Sequence, residues 1–342
     1  MRFRILSVDG GGIRGLIPAL VLQELETRLR KRRPDAALVD YFDLIAGTST
    51  GGLIALGLTN PVRLDSAKLV ALYRERGPEI FRRSLGQKLR TVWGWTGPKY
   101  SPETLSAVLT DELGSARLSD ALREIVVVAY DMAQPGPRFF KRWQAIAASE
   151  RDLSMVEVGL ATAAAPTYFP AVGIDSAALV DGGVFAANPT IAGVVEALKR
   201  TTDPPAPLVP HDLLVLSLGT GRHVDRYSEP EVRGWGRLGW IWPRASGPAL
   251  LEAIFDGQSR AADHWAHMLL NHEPGRQPAE EFGRGSRYWR FDPELPRPLA
   301  LDDASEATLA DLSAAAAQVI EARSADLDAL VDLLQTDMGT AS

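Results

Sequence analysis

The chain has 342 residues, no cysteine and five histidines, and its 37 Lys and Arg against 43 Asp and Glu leave a formal net charge of -6. The missing cysteines exclude a disulfide framework, a thiolate zinc site, an iron–sulfur cluster and a cysteine nucleophile, and five histidines leave little room for a His-rich metal centre. The acidic balance argues against nucleic acid as a partner, because a general nucleic-acid binder carries a basic excess.

The first residues, MRFRILSVDGGG, contain only a short apolar run before Asp9, whereas a secretory signal needs about 7–15 apolar residues there. No stretch approaches the roughly 18–20 apolar residues of a membrane span. These features predict a cytoplasmic protein. Residues 4–8 read as a buried strand that ends in Asp9 and three glycines. Residues 16–30 have helical spacing, with Pro18 tolerated in the first turn. Residues 42–46 are a second apolar run, followed by a Gly-Thr-Ser-Thr-Gly turn and a buried helix over 53–58. Strand, helix, strand and helix joined by turns this short predict an α/β fold: a central, mostly parallel sheet with helices on both faces.

Residues 65–76 predict a helix, and 77–100 an irregular excursion over the site. Ser101, Pro102 and Glu103 open another helix. Residues 124–130 and 138–143 read as strands around a Gln-Pro-Gly-Pro turn. Residues 153–164 are helical, 178–180 form a short strand leading into Asp181, and 188–199 hold a further helix. Residues 212–218 are a hydrophobic strand, and strand-like segments recur to about 291. Residues 303–335 read as one or two amphipathic helices that dock through Leu309, Leu312, Ile320, Leu327, Leu330 and Leu334. We therefore expect one elaborated α/β domain over 1–300 and a helical extension with a short tail over 301–342. The sequence does not choose an oligomeric state.

Three turns carry chemistry. Asp9 to Gly15 spells D-G-G-G-I-R-G. A glycine-rich turn at a helix start exposes backbone N–H groups that bind negative charge, either a pyrophosphate or a transient oxyanion. Gly10, Gly12 and Gly15 also satisfy G-x-G-x-x-G, with Asp35 about 20 residues beyond Gly15. A tight turn without a ligand is the bland alternative. Gly47 to Gly51 spells G-T-S-T-G between a strand and a buried helix, the setting of a nucleophile elbow at Ser49. Adjacent parallel turns open on the same edge of a sheet, so one would supply backbone donors and the other a hydroxyl. Ser49 follows only two strands, which disfavours an α/β-hydrolase triad.

His211, His223, His264, His267 and His272 all follow Ser49, and none has a metalloprotease spacing. Asp181, before Gly182 and Gly183, is the better base candidate, because a carboxylate within hydrogen-bond reach can take a serine proton directly, although Asp-Gly-Gly on its own more often marks an ordinary turn.

Together these pieces resemble the patatin-like phospholipase family. The matching residues are D-G-G-G-I-R-G at 9–15, G-T-S-T-G at 47–51, ATAAAPTYFP at 161–170 and D-G-G at 181–183. The resemblance implies a three-layer patatin-like fold and a Ser49–Asp181 dyad, with an oxyanion hole around Gly10, Gly11, Gly12 and Arg14. Gly47, Gly51, Gly182 and Gly183 would support the turns. It implies neither metal nor cofactor.

The expected activity is phospholipid or other acyl-ester hydrolysis. Two alternatives stay open: the same chemistry as a cyclic-nucleotide-activated antiphage effector, or a non-enzymatic nucleotide-binding module using Gly10, Gly12 and Gly15. Two basic-aromatic segments suit peripheral membrane contact. One holds Trp93 and Trp95 near Arg82, Arg83, Lys88 and Arg90; the other holds Trp235, Trp240 and Trp242 near Arg233 and Arg237. Packing of these tryptophans on the domain as loop anchors is the alternative.

Overall fold

The computed structural model describes residues 2–62, 64–82, 97–199, 207–223, 227–241, 249–271 and 286–336. At its centre lies β1 (Phe3–Val8), an apolar run with both faces covered. Leu6 and Val8 enter one hydrophobic cluster and Ile5 the other, as the two-residue strand period requires. β2 (Leu44–Thr48), β3 (Glu124–Asp131), β7 (Leu213–Leu218) and β8 (Tyr288–Phe291) join it in the parallel order β3-β2-β1-β7-β8. β4 (Gly136–Lys141), β5 (Val172–Ile174) and β6 (Ala177–Asp181) extend this mixed sheet with antiparallel pairings.

Helices cover both faces. On one side the cluster takes in α1 (Leu16–Arg30), α2 (Thr50–Thr59), α3 (Ser66–Glu75), α4 (Pro102–Leu113) and α5 (Met155–Thr162). The other side is covered by α6 (Thr190–Lys199) and α7 (Ala249–Asn271). The terminal helices α8 (Glu306–Ala322) and α9 (Ser324–Thr336) pack on α1 through Leu312, Leu327, Leu330 and Leu334. Arg28 of α1 donates to the Ser324 carbonyl at 2.7 Å, and the Ile13 N–H donates to the Leu301 carbonyl at 2.8 Å.

The element boundaries differ from the sequence expectation where local hydrogen bonding overrides apolar content. β2 starts at Leu44 because Leu38–Tyr41 forms a helical turn, and it runs on through Gly47 and Thr48, which pair with Val127 and Val128. β4 ends at Lys141 because Arg142 and Trp143 enter the helical turn Arg142–Ala147. The 23-residue helix α7 has no counterpart among the expected elements. Its buried stripe, Ala262, Ala266 and Leu270, is narrow and mostly small, so a one-face apolar pattern is weak.

The connection that matters most to the site is at β3. β2 pairs with residues up to Val128, and β6 takes up β3 at Ala129, where β2 leaves off. β4 overlaps both and so occupies the other edge of β3. Thr48 opposite Val128 and Asp181 opposite Ala129 are therefore brought end to end.

A buried polar network underlies the first glycine turn. Arg290 of β8 donates to both oxygens of Asp9, at 3.0 and 2.7 Å, and also to Asp292 at 3.0 Å and the Ser217 hydroxyl at 2.8 Å. Burial opposes the charge on Arg290, but Asp9 and Asp292 outweigh it and raise its pKa well above the ordinary arginine value. Asp292 in turn accepts from the Gly221 N–H at 3.0 Å. Replacing Arg290 with Leu leaves buried Asp9 without its cation and Asp292 with Arg222 alone, 3.4 Å away, and should lower stability by about 3–5 kcal/mol. The shift in urea midpoint at unchanged m-value is the measurement that checks it.

Candidate active site

Ser49 sits between β2 and α2 with φ 53° and ψ -124°. A non-glycine residue in this region stores on the order of 1–3 kcal/mol of strain, so its surroundings must hold it. The Ser49 N–H donates to Thr162 Oγ1 at 2.9 Å, and the Thr162 hydroxyl donates onward to the Val128 carbonyl at 2.6 Å. Thr48 Oγ1 ties the same turn to the Ala186 carbonyl at 2.7 Å. Gly51 lets α2 begin against the end of β1: a Cβ there would lie 2.1 Å from the Val8 carbonyl oxygen. Gly47 is the matching gap on β2, where a Cβ would lie 2.3 Å from the Gly51 oxygen. The positive end of the ten-residue helix α2 faces Ser49.

Asp181 closes β6 and is buried. Its Oδ1 accepts from the Gly183 N–H at 2.7 Å, and the neighbouring Ser49 hydroxyl also favours the charged carboxylate. Burial raises its pKa to about 6, against the opposing pull of the Ser49 hydroxyl and the Gly183 N–H. Gly182 passes close to β3, where a Cβ would meet the Val128 oxygen at 2.5 Å.

No histidine bonds Ser49 or Asp181 among the described residues. His211 Nε2 lies 2.9 Å from Arg287, His223 Nδ1 lies 3.5 Å from the Leu295 carbonyl, and His264 is exposed on α7. His272 falls outside the described residues, as do Arg83, Lys88, Arg90, Trp93, Trp95 and Trp242. Trp235 packs edge-on against Tyr227 at 4.8 Å and Trp240 at 5.1 Å, in the manner of a loop anchor.

The glycine loop passes beside the elbow, and a Cβ on Gly10 would lie 3.3 Å from that of Ser49. The Gly10 N–H is occupied by the Ala187 carbonyl at 2.9 Å, and the Gly10 carbonyl accepts from Thr220 at 2.8 Å. Gly10 therefore anchors the loop, and its N–H is not open to a ligand. The N–H groups of Gly11 and Gly12 have no acceptor among the described residues. Gly12 has φ +58°, and a Cβ there would meet the Leu301 carbonyl oxygen at 2.1 Å. Arg14 lies in the cavity wall with Nε 3.5 Å from the Gly11 carbonyl, and burial lowers its pKa from the ordinary arginine value. Gly15 packs beneath Thr50 and Tyr73. Asp35 is exposed in the turn after α1, not at a strand end.

Ser49, Asp181 and the loop border a cavity of about 510 Å³. Away from them its walls are apolar, with Leu53 of α2, Leu69 of α3, Leu105 and Leu109 of α4, and Phe169. This volume suits a ligand of small-molecule size. Thr162, Ala187 and Arg290 emerge only from the structure. Of these, only Thr162 carried a signal, through its place in the block at 161–170.

A protein-family model described as patatin-like phospholipase matches residues 6–194. Patatin-like protein 2 of Arabidopsis thaliana is 36% identical over 287 residues, covering 76% of this chain and 70% of that protein. Patatin-03 of Solanum tuberosum is 37% identical over 262 residues, covering 69% and 66% respectively. The solved structure of VipD from Legionella pneumophila aligns over 94% of this chain and 67% of that chain, at 10% identity and a TM-score of 0.37.

Thr162→Val keeps the shape but leaves the Ser49 N–H without its acceptor, at a cost of about 1–3 kcal/mol. It should lower the urea midpoint accordingly, whereas Thr162→Ser should stay close to wild type.

Proposed function

Because the chain belongs to the patatin-like phospholipase family, we propose that it is a phospholipase A-type acyl hydrolase, a serine esterase acting through a Ser49–Asp181 dyad. The observation that carries this reading is the placement of the strained Ser49 next to the buried Asp181, both on the wall of one largely apolar cavity. The apolar walls fit an acyl chain. The lipid class and the acyl position are left open.

In the first step Ser49 Oγ attacks the ester carbonyl carbon and Asp181 accepts the hydroxyl proton. The carbonyl oxygen becomes an oxyanion, which the open N–H groups of Gly11 and Gly12 receive. The carbon–oxygen bond to the leaving alcohol breaks, and the alcohol takes the proton from Asp181. In the second step water attacks the acyl-serine while Asp181 takes its proton. Collapse of that intermediate returns the proton to Ser49 and releases the fatty acid. A base with a pKa near 6 is ionised at neutral pH yet less mismatched to a hydroxyl than an ordinary aspartate. Arg14 adds positive potential beside the glycine loop.

The dinucleotide reading has less support. Only two N–H groups of the loop are open, Asp35 is remote from any strand end, and a nucleotide site leaves the serine elbow without a purpose.

Ser49→Ala should abolish hydrolysis of a p-nitrophenyl acyl ester and labelling by a fluorophosphonate; retained turnover would sink the assignment. Asp181→Asn should lower kcat by about 10²–10⁴, the usual contribution of a general base. Protonation of Asp181 removes the base, so kcat/KM should fall as pH drops through about 6 and level off above it.

A further inference from the structure

The helix α7 carries two apolar faces. Ala262, Ala266 and Leu270 are buried against the sheet. Leu250, Ile254, Trp265 and Met268 follow a different helical row and face outward, with 41%, 38%, 60% and 36% of their surface exposed. Gly257 and Ala261 continue the row between them, and a Cβ on Gly257 would meet nothing within 4 Å. The preceding helical turn, Arg237–Ile241, packs on α7 and adds Leu238 and Ile241, 65% and 46% exposed. Large apolar side chains thus cluster at both ends of one exposed row and on the adjoining turn, and exposed apolar clusters of this kind mark interaction sites.

The cavity and this stripe share an edge of the same helix. Ala249, Ala253 and Gly257 are spaced four apart, line the cavity that holds Ser49, and form the row beside Leu250 and Ile254. A second copy of the chain seated on the stripe would crowd that edge, whereas a lipid surface would lay substrate along it. The flanking charges define the kind of surface. On α7, Glu252, Asp256 and Asp263 outnumber Arg260, and Arg260 is paired to Asp256 at 2.7 Å. In the segment before it, Arg233 is paired to Glu229 at 3.4 Å. Glu229 and Glu231 also balance Arg233 and Arg237 there, so among the described residues of the two segments no basic excess is present to recruit anionic headgroups.

We infer that the outer face of α7, with Leu238 and Ile241, docks the enzyme on a zwitterionic lipid surface by inserting apolar side chains. The inference rests on the lipid-hydrolase reading of the site and names the surface on which that site works. It keeps part of the expected 233–242 segment but assigns the contact to apolar side chains, Leu238, Ile241 and the outer row of α7, in place of basic and aromatic ones. Insertion of this kind scales with buried apolar area and depends little on salt.

The test separates docking from chemistry. Ser49→Ala protein is sedimented with phosphatidylcholine vesicles at low and high salt. Binding at both salt levels is expected, and Ile254→Glu combined with Trp265→Glu should weaken it by about tenfold or more. Leu238→Glu with Ile241→Glu should do the same from a different element. In the Ser49 enzyme both pairs should keep wild-type turnover of a soluble short-chain ester, which shows that folding and site are intact. Absence of vesicle binding overturns the inference, as does binding that requires anionic lipid and vanishes at high salt. A dimer that the Glu pairs convert to monomer, without any vesicle binding, assigns the stripe to a second copy and also overturns it. A protein that binds vesicles but hydrolyses no ester fails the proposed function and leaves the docking result standing.

Discussion

A guanidinium held out of water between two carboxylates is costly unless every partner stays in place. Arg290 is in that position, bridging Asp9 at the end of β1 and Asp292 just beyond β8, two points 281 residues apart in the Asp9 pair. The glycine turn begins at Asp9, so the N–H groups of Gly11 and Gly12 are aimed by an ion pair whose other half comes from the far end of the sheet. The Ser217 hydroxyl accepts a further bond from Arg290, and the Ser259 hydroxyl donates to Asp9. The last strand is thus a structural part of the candidate site, even though it contributes no reacting atom.

The second constraint is the end-to-end meeting of β2 and β6 on one edge of β3. A purely parallel sheet would align strand ends side by side, one strand spacing apart. Here an antiparallel strand returns toward β2 and stops where β2 stops. Ser49 and Asp181 are thereby brought next to each other, the arrangement on which the proposed dyad rests. The strain at Ser49 is held by backbone and threonine contacts from three segments: Thr162 from α5, Val128 from β3 and Ala186 from the turn after Asp181.

Much of this was legible along the chain because the determining residues are local. Glycine triplets after an apolar run can only be a turn at a strand end. G-T-S-T-G before a buried helix reads as an elbow or as a helix cap, and the neighbouring glycine turn favours the elbow. The helices 16–30 and 306–336 show in their apolar spacing, since each buries one broad face. Two things were hidden. The helix α7 divides its apolar residues between a buried and an exposed face, which blurs the pattern. The role of each glycine was also hidden: Gly10 lies in the same triplet as Gly11 and Gly12, yet its N–H meets Ala187, a partner 177 positions away.

The sequence by itself determined the chemistry on offer: a serine in an elbow, a carboxylate before two glycines, backbone donors, and neither thiol nor a histidine placed for a triad. Those are properties of residue types and short spacings, which a chain carries wherever it goes. Only the tertiary structure decided which of these groups meet. Strand order, the direction of β6 and the pairing of Arg290 with Asp9 are contacts between distant segments, fixed by burial and hydrogen bonding across the whole sheet. The same holds for Asp181: its pKa near 6 follows from desolvation, which no short stretch of sequence contains.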